Sequence, residues 1–187
     1  MKTQIILAGV GGQGILFSSR IFSELGLKLG LEVTGAETHG MSQRGGSVVA
    51  HMKLGGFKSP LVRRGTADLL YSLEEKETYK NLHFLRSGGA CFANMPDGSR
   101  FDKTILDHLK RRDIIFRAFD SSGIAMELGA VRAANICLIG FSVGTGLTPF
   151  GYEDLKDVLS SLSRKSDLEL NTKVFDTGVD LGKKSRI

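Results

Sequence analysis

The stretch IILAGVGGQG, residues 5–14, decides how the rest of the chain is read. Four apolar residues, Ile5-Ile6-Leu7-Ala8, run straight into glycines at 9, 11, 12 and 14, and an amphipathic stretch follows at once. An apolar strand, a tight glycine turn and a helix form the entry of a dinucleotide-type βαβ unit, with the spacing GxGxxG at Gly9, Gly11 and Gly14. A helix starting at such a turn offers unpaired backbone N–H groups and the positive end of its dipole. The missing Cβ atoms let a phosphate approach the backbone. The same glycines also let helix and strand pack tightly, so the motif alone leaves phosphate binding and close packing both open.

Outward from this turn, Ile15, Phe22, Leu25 and Leu29 recur at helical spacing, with Arg20, Glu24 and Lys28 on the opposite side. Residues 13–29 are therefore expected to be an amphipathic helix, stopped by Gly30. Leu31–Glu37 is expected as the second parallel strand, completing a βαβ unit with a right-handed crossover. Glu37 falls where an NAD-binding domain places the acid that grips the ribose hydroxyls, which keeps a free-standing NAD-dependent enzyme as an alternative. Residues 38–46, THGMSQRGG, do not suit a plain turn: this polar loop carries His39, Ser42, Gln43 and Arg44. Ordering that many residues costs entropy that a turn alone does not require.

From Ser47 to Leu54 the pattern alternates like a strand, Gly55-Gly56 marks a turn, and Lys58–Val62 is expected to pair back as a short antiparallel piece. Ala67–Leu73 and Ala90–Ala93 have the character of buried strands, with a short helix over Glu74–Leu82 between them. A surface helix is expected around Ile105–Arg111 and a strand over Ile114–Phe119. Asp120-Ser121-Ser122 caps a helix running to about Leu128, with Gly129 as its stop. Asn135–Gly140 fits a strand or a buried helix equally well. Glycines 140, 144 and 146 with Pro149 suggest a loop, Tyr152–Leu162 a helix, and the remainder an extended tail that docks only over Asn171–Gly178. The sum is a single domain, residues 1–187: three-layer α/β, Rossmann-like, with a mostly parallel sheet, a small antiparallel hairpin portion, and its ligand edge at the carboxyl ends of the strands.

At 187 residues the chain is long enough to bury a core without metal or disulfide. Two cysteines, Cys91 and Cys137, stand far apart in apolar runs, and an iron–sulfur or zinc site needs several at short spacing, so no metal is expected on this chain. Met41 and His51 are expected as packing and sheet residues, Asp68 and Asp120 as turn or cap residues, and Asn135 as a core hydrogen bonder. The net charge of +5 is spread in small clusters without interleaved aromatics, which argues against nucleic acid as a partner. No run is long enough to span a membrane and the first residues form strand and glycine turn, so a cytoplasmic location is expected.

GVGGQG at 9–14 followed by ETHGMSQRGGSV at 37–48 and His51 resembles the gamma-type domain of the 2-oxoacid:ferredoxin oxidoreductases, and HGMSQRGG is most similar to the indolepyruvate branch, its beta subunit. The resemblance covers essentially the whole chain, least well over 97–113 and the tail. It implies a subunit rather than a complete enzyme. Thiamine diphosphate and the iron–sulfur clusters lie on a larger catalytic subunit, electrons leave through ferredoxin, and a 2-oxoacid is oxidatively decarboxylated to a coenzyme A thioester. Carried over by position, Gly9, Gly11, Gly12, Gln13 and Gly14 form one loop at the subunit junction, beside thiamine diphosphate and the coenzyme A approach. Glu37, His39, Ser42, Gln43 and Arg44 form the second. Two roles stay open for them: holding a phosphate or carboxylate through backbone N–H groups and Arg44, or pairing with each other and the partner subunit. A subunit of this kind exposes apolar surface and, alone, is expected to form a homodimer.

Overall fold

Thr3–Val10 forms the central strand β1, and its IILA run is buried on both sides: Ile5 and Leu7 enter one core, Ile6 and Ala8 the other. That two-sided burial is what a continuous apolar strand predicts for the middle of a helix-covered sheet. The computed structural model describes residues 1–39, 45–96 and 101–185. After β1 come α1 (Ile15–Lys28), β2 (Val33–His39), β3 (Ser47–Leu54), β4 (Ala67–Ser72), α2 (Glu75–Asn81), β5 (Leu85–Asn94), α3 (Lys103–Arg111), β6 (Ile115–Phe119), α4 (Ser121–Glu127), α5 (Ala134–Thr145), α6 (Tyr152–Leu162) and α7 (Leu168–Lys184).

The sheet order is β2-β3-β1-β4-β5-β6. β1, β4, β5 and β6 are parallel neighbours, while β3 runs antiparallel to both β1 and β2. This corrects two expectations. Leu31–Glu37 is not paired with β1, because β3 is inserted between β1 and β2. Residues 58–62 form no strand; they cross over β3, where the Val62 N–H donates to His51 Nδ1 (3.2 Å). The antiparallel pairing of β3 is instead satisfied on both sides by β1 and β2, so residues 58–62 have no ladder to join.

One sheet face is covered by α1, α5, α6 and α7, whose Phe22, Leu25, Ile136, Leu155, Val158 and Phe175 pack on Leu7, Met52, Leu69 and Phe92. The other face is covered by the α2 and α3 regions, with Leu82, Leu109 and Ile114 against Ile6, Leu70 and Cys91. Asp120 caps α4 as its position predicts, accepting from the Gly123 N–H at 2.7 Å. Asp68 holds the start of the parallel sheet together, accepting from the Gln4 N–H (2.8 Å) and Arg86 Nε (2.6 Å).

The C-terminal third departs most from the sequence expectation. Asn135–Gly140 belongs to helix α5, buried on all sides; Gly140 and Gly144 lie inside that helix rather than in a loop. The tail is a 17-residue helix, α7, with Val174, Phe175 and Val179 buried against α5. A helix buried all round has no polar face, so its periodicity carries no signal to separate it from a strand.

Candidate functional site

The carboxyl ends of β1, β4, β5 and β6 lie on one edge, and β1 leaves it through the glycine loop. β4 leads from there into α2 on the opposite sheet face from α1, so the β1–β4 boundary is a topological switch point, the place where such sheets open a crevice. The register aligns Val10 with Ser47 and His39 with Val48, which brings the start of β3 and the end of β2 to the same edge. Both sequence motifs therefore meet there.

Their junction is specific. The Gly11 N–H donates to the Gly46 carbonyl (3.0 Å), tying the glycine loop to the base of the second loop. Gln13 closes the glycine loop on itself: its Oε1 accepts from the Val10 N–H (2.9 Å), and its own N–H donates to the Val10 carbonyl (3.2 Å). Gln13 Nε2 then reaches across the switch point to Glu74 Oε2 at 3.5 Å. Gly14 is the left-handed N-cap of α1 (φ 81°), and Gly12 is also left-handed (φ 101°), conformations that glycine adopts without strain. Among the described residues the Gly12 and Gly14 N–H groups have no partner, so of the loop's amides these two, with the first turn of α1, face outward as donors. Gly9 is held differently: a Cβ there would press on Gln13 and Ile15, so this glycine serves packing.

Beside Gly14 lies a cavity of about 540 Å³ lined by Phe17, Val131, Arg132, Asn135, Arg164 and Asn171, among others. Three helices, α1, α5 and α7, start at its wall, and none has a side-chain cap at Gly14, Ala133 or Asp167. Arg132 and Arg164 form no ion pair among the described residues. Uncapped helix starts and the two guanidinium groups make this wall receptive to negative charge, with Asp167 the one carboxylate among the described lining residues. Asn135, 3% exposed, ties the wall to the loop: its Nδ2 donates to the Gly14 carbonyl and to Ser18 Oγ, both at 3.1 Å. Its role as a core hydrogen bonder is legible in the sequence; Arg132 and Arg164 are not. The one local signal for Arg132 is a helix that begins two residues later, at Ala134, with Ala133 in place of a Ser, Thr, Asp or Asn cap.

Not every residue singled out by the sequence comes together. Glu37 lies in a separate groove with Ser19, Ser23 and Met52, accepting from Ser19 Oγ at 3.2 Å. With β3 inserted, it stands about one strand spacing, roughly 4.8 Å, further from β1 than a ribose-binding acid would. His39 ends β2 at the site edge through its backbone. Ser42, Gln43 and Arg44 lie outside the described residues.

Away from this edge, burial shifts several groups, raising the Tyr71 hydroxyl and lowering His51 and Lys53. Cys91 and Cys137 are buried thiols; burial pushes Cys137 up to about 12 and Cys91 higher still, which leaves both as inert packing groups. Among the described residues no group of three or more His, Cys, Asp or Glu is arranged to hold a metal, and no helix is long and apolar enough to cross a membrane.

Fold and edge together define a class: a three-layer, Rossmann-like α/β domain whose glycine loop at the switch point is bonded to Gly46, at the root of a second glycine-flanked motif. Residues 4–181 match the pyruvate ferredoxin/flavodoxin oxidoreductase family, and the chain belongs to it. The indolepyruvate oxidoreductase subunit IorB of Archaeoglobus fulgidus is 31% identical over 189 residues, covering 95% of this chain and 94% of its own. The gamma subunit of a keto/oxoacid ferredoxin oxidoreductase from Geobacter sulfurreducens has the same fold, with a TM-score of 0.73 at 22% identity over 97% of this chain and 99% of that one. The 2-oxoglutarate:ferredoxin oxidoreductase of Magnetococcus marinus, solved with 2-oxoglutarate, coenzyme A and succinyl-CoA bound, contains the fold within a longer chain. The TM-score is 0.78 at 22% identity, over 98% of this chain and 31% of that one. These relatives are subunits or chains of 2-oxoacid oxidoreductases.

Proposed function

We propose that the chain is the small subunit of a ferredoxin-linked oxidoreductase acting on indolepyruvate or another aryl pyruvate. The complex converts its 2-oxoacid oxidatively to an acyl-coenzyme A. In this reading thiamine diphosphate and the iron–sulfur clusters sit on a larger companion subunit, and electrons pass from there to ferredoxin. The two cysteines of this chain, both buried in apolar cores, do not fit a cluster.

The observation that carries the reading is the Gly11–Gly46 hydrogen bond, because it makes the two motifs one surface at the switch point. This chain's contribution is then positional and electrostatic. The Gly12 and Gly14 N–H groups, the uncapped starts of α5 and α7, and Arg132 and Arg164 supply positive potential along the approach of an anionic group such as a coenzyme A phosphate. In this reading His39, Ser42, Gln43 and Arg44 serve the companion subunit or its ligand, and Arg44 offers the chemistry of a planar two-pronged donor.

The test separates ligand from interface. Arg44→Ala is assembled with the companion subunit, and co-purification and the coenzyme A KM are measured independently. The expected result is intact assembly with a KM raised roughly tenfold, the loss of one charged hydrogen-bonding pair. An unchanged KM with lost assembly overturns the ligand role and leaves the loop as interface alone.

A further inference from the structure

Helix α2 faces both loops, and its acids hold them. Glu77, 3% exposed, sits in its first turn with each carboxylate oxygen engaged: Oε2 accepts from Ser47 Oγ at 2.6 Å and Oε1 from Lys80 Nζ at 2.6 Å. Ser47 is the first residue of β3, directly after Gly45-Gly46, so this bond grips the second loop at its root. Three residues earlier, Glu74, the extended residue that precedes α2, receives the longer contact from Gln13 of the glycine loop. The Gly11–Gly46 bond then closes a ring: glycine loop, second loop and α2 are each joined to the other two.

A neutral acceptor would satisfy one serine hydroxyl. Burying a carboxylate for that purpose is costly, and it persists where the geometry it enforces is needed. The 2.6 Å separation is that of a charge-assisted O–H···O⁻ bond, the strongest and most directional type open to Ser47.

We propose that Glu77 is a positioning residue: through Ser47 it sets Gly46, at the root of the second loop, against Gly11 of the glycine loop. The inference rests on the two-loop site proposed above. Glu77 touches no substrate or cofactor; toward the two loops it acts through the hydroxyl of Ser47, while its other oxygen holds Lys80.

The test uses the assembled complex with Ser47→Ala, Ser47→Thr, Glu77→Gln, the Ser47→Ala/Glu77→Gln double variant and Arg44→Ala side by side. Ser47→Ala and Glu77→Gln each raise the coenzyme A KM by roughly tenfold at nearly constant kcat, as expected for loss of a hydrogen bond to a charged group. Ser47→Thr keeps the hydroxyl and restores the KM, and the double variant is no worse than either single one, because both remove the same bond. In the full chain alone, amide exchange at Gly11 accelerates in Ser47→Ala while the amides of α2 keep their protection, which a mere loss of helix stability would not produce. If Arg44→Ala raises the KM and Ser47→Ala changes neither the KM nor Gly11 exchange, the positioning role is overturned and the two-loop reading stands. If Arg44→Ala also leaves the KM unchanged, the ligand role of the two-loop site falls with it. Additive effects in the double variant likewise overturn the role of Glu77.

Discussion

At the scale of one side chain, Gln13 shapes the glycine loop from inside the chain by accepting from the Val10 N–H, and with Gly11 bonded to Gly46 only part of the amide cradle of a dinucleotide site remains outward. The loop keeps close backbone approach, with the Gly11 and Gln13 N–H groups bonded within the chain and those of Gly12 and Gly14 without a partner among the described residues. His51 carries the clearest residue-level prediction. It is 6% exposed, its Nδ1 accepts from the Val62 N–H, Phe84 lies edge-on to the ring, and burial followed by the charge of Lys53 lowers its pKa below 6.5. As pH falls below 6.5 the unfolded chain takes up its proton before the folded one does. Stability is therefore full above 6.5 and declines as pH drops toward the lower folded value. Urea unfolding is expected to show a flat midpoint between about pH 7 and 8. Below 6.5 the midpoint falls, as the unfolding free energy drops by at most about 1.4 kcal/mol per pH unit from this one proton. His51→Gln is less stable at pH 7.5 but lacks that component; a difference between the two proteins that does not change with pH would contradict it.

At the scale of elements, α5 and α7 meet backbone to backbone. Gly140 and Gly144 of α5 face α7, and Gly178 and Gly182 of α7 face α5; a Cβ at Gly144 would strike the Val179 carbonyl and Gly182 Cα. Gly144→Ala is expected to destabilise by about 1–3 kcal/mol through overpacking, despite alanine's advantage in an isolated helix of about 1 kcal/mol. Chemical unfolding measures the balance, and a neutral or stabilised variant would show that the helices are not in such close contact. Much of the element content was legible. Tyr152–Leu162 emerged with the same bounds, and α1 lies within the predicted 13–29, because each is amphipathic and bounded by glycine or another stop. The C-terminal pair was not, although its signal is present: glycines four apart in both segments, at 140 and 144 and at 178 and 182, place one small face on each of two helices. Read singly, the same glycines resemble loop residues. Only the partner helix shows them to be a contact.

At the scale of the whole molecule, the insertion of β3 between β1 and β2 separates this fold from an ordinary dinucleotide-binding domain. It moves Glu37 to a different groove and puts the root of the second loop beside the glycine loop. The same edge exposes apolar side chains: Val131, 70% exposed, at the cavity mouth and Leu16, 52% exposed, between the cavity residues Gly14 and Phe17. Surface of this kind on a subunit awaits a partner. The isolated chain is expected to sediment as a homodimer that dissociates when the companion subunit is added. A monodisperse monomer at high concentration would show that this edge needs no cover.

The sequence by itself determined what depends on near neighbours: the apolar strand into a glycine turn into a helix, the Asp120 cap, the buried thiols, and the two motifs whose order and spacing mark the family. The tertiary structure alone decided the place of β3, the docking of α7, the meeting of Arg132 and Arg164 at one cavity, and the ring through Glu77 and Ser47. The physical reason is range. Helix periodicity, caps and turns are settled within a few residues, whereas strand order and helix docking depend on contacts between segments far apart in the chain, for which local pattern holds no energy term. The glycine loop belongs to both: its turn is local, and what it faces is decided by the strand that enters beside it.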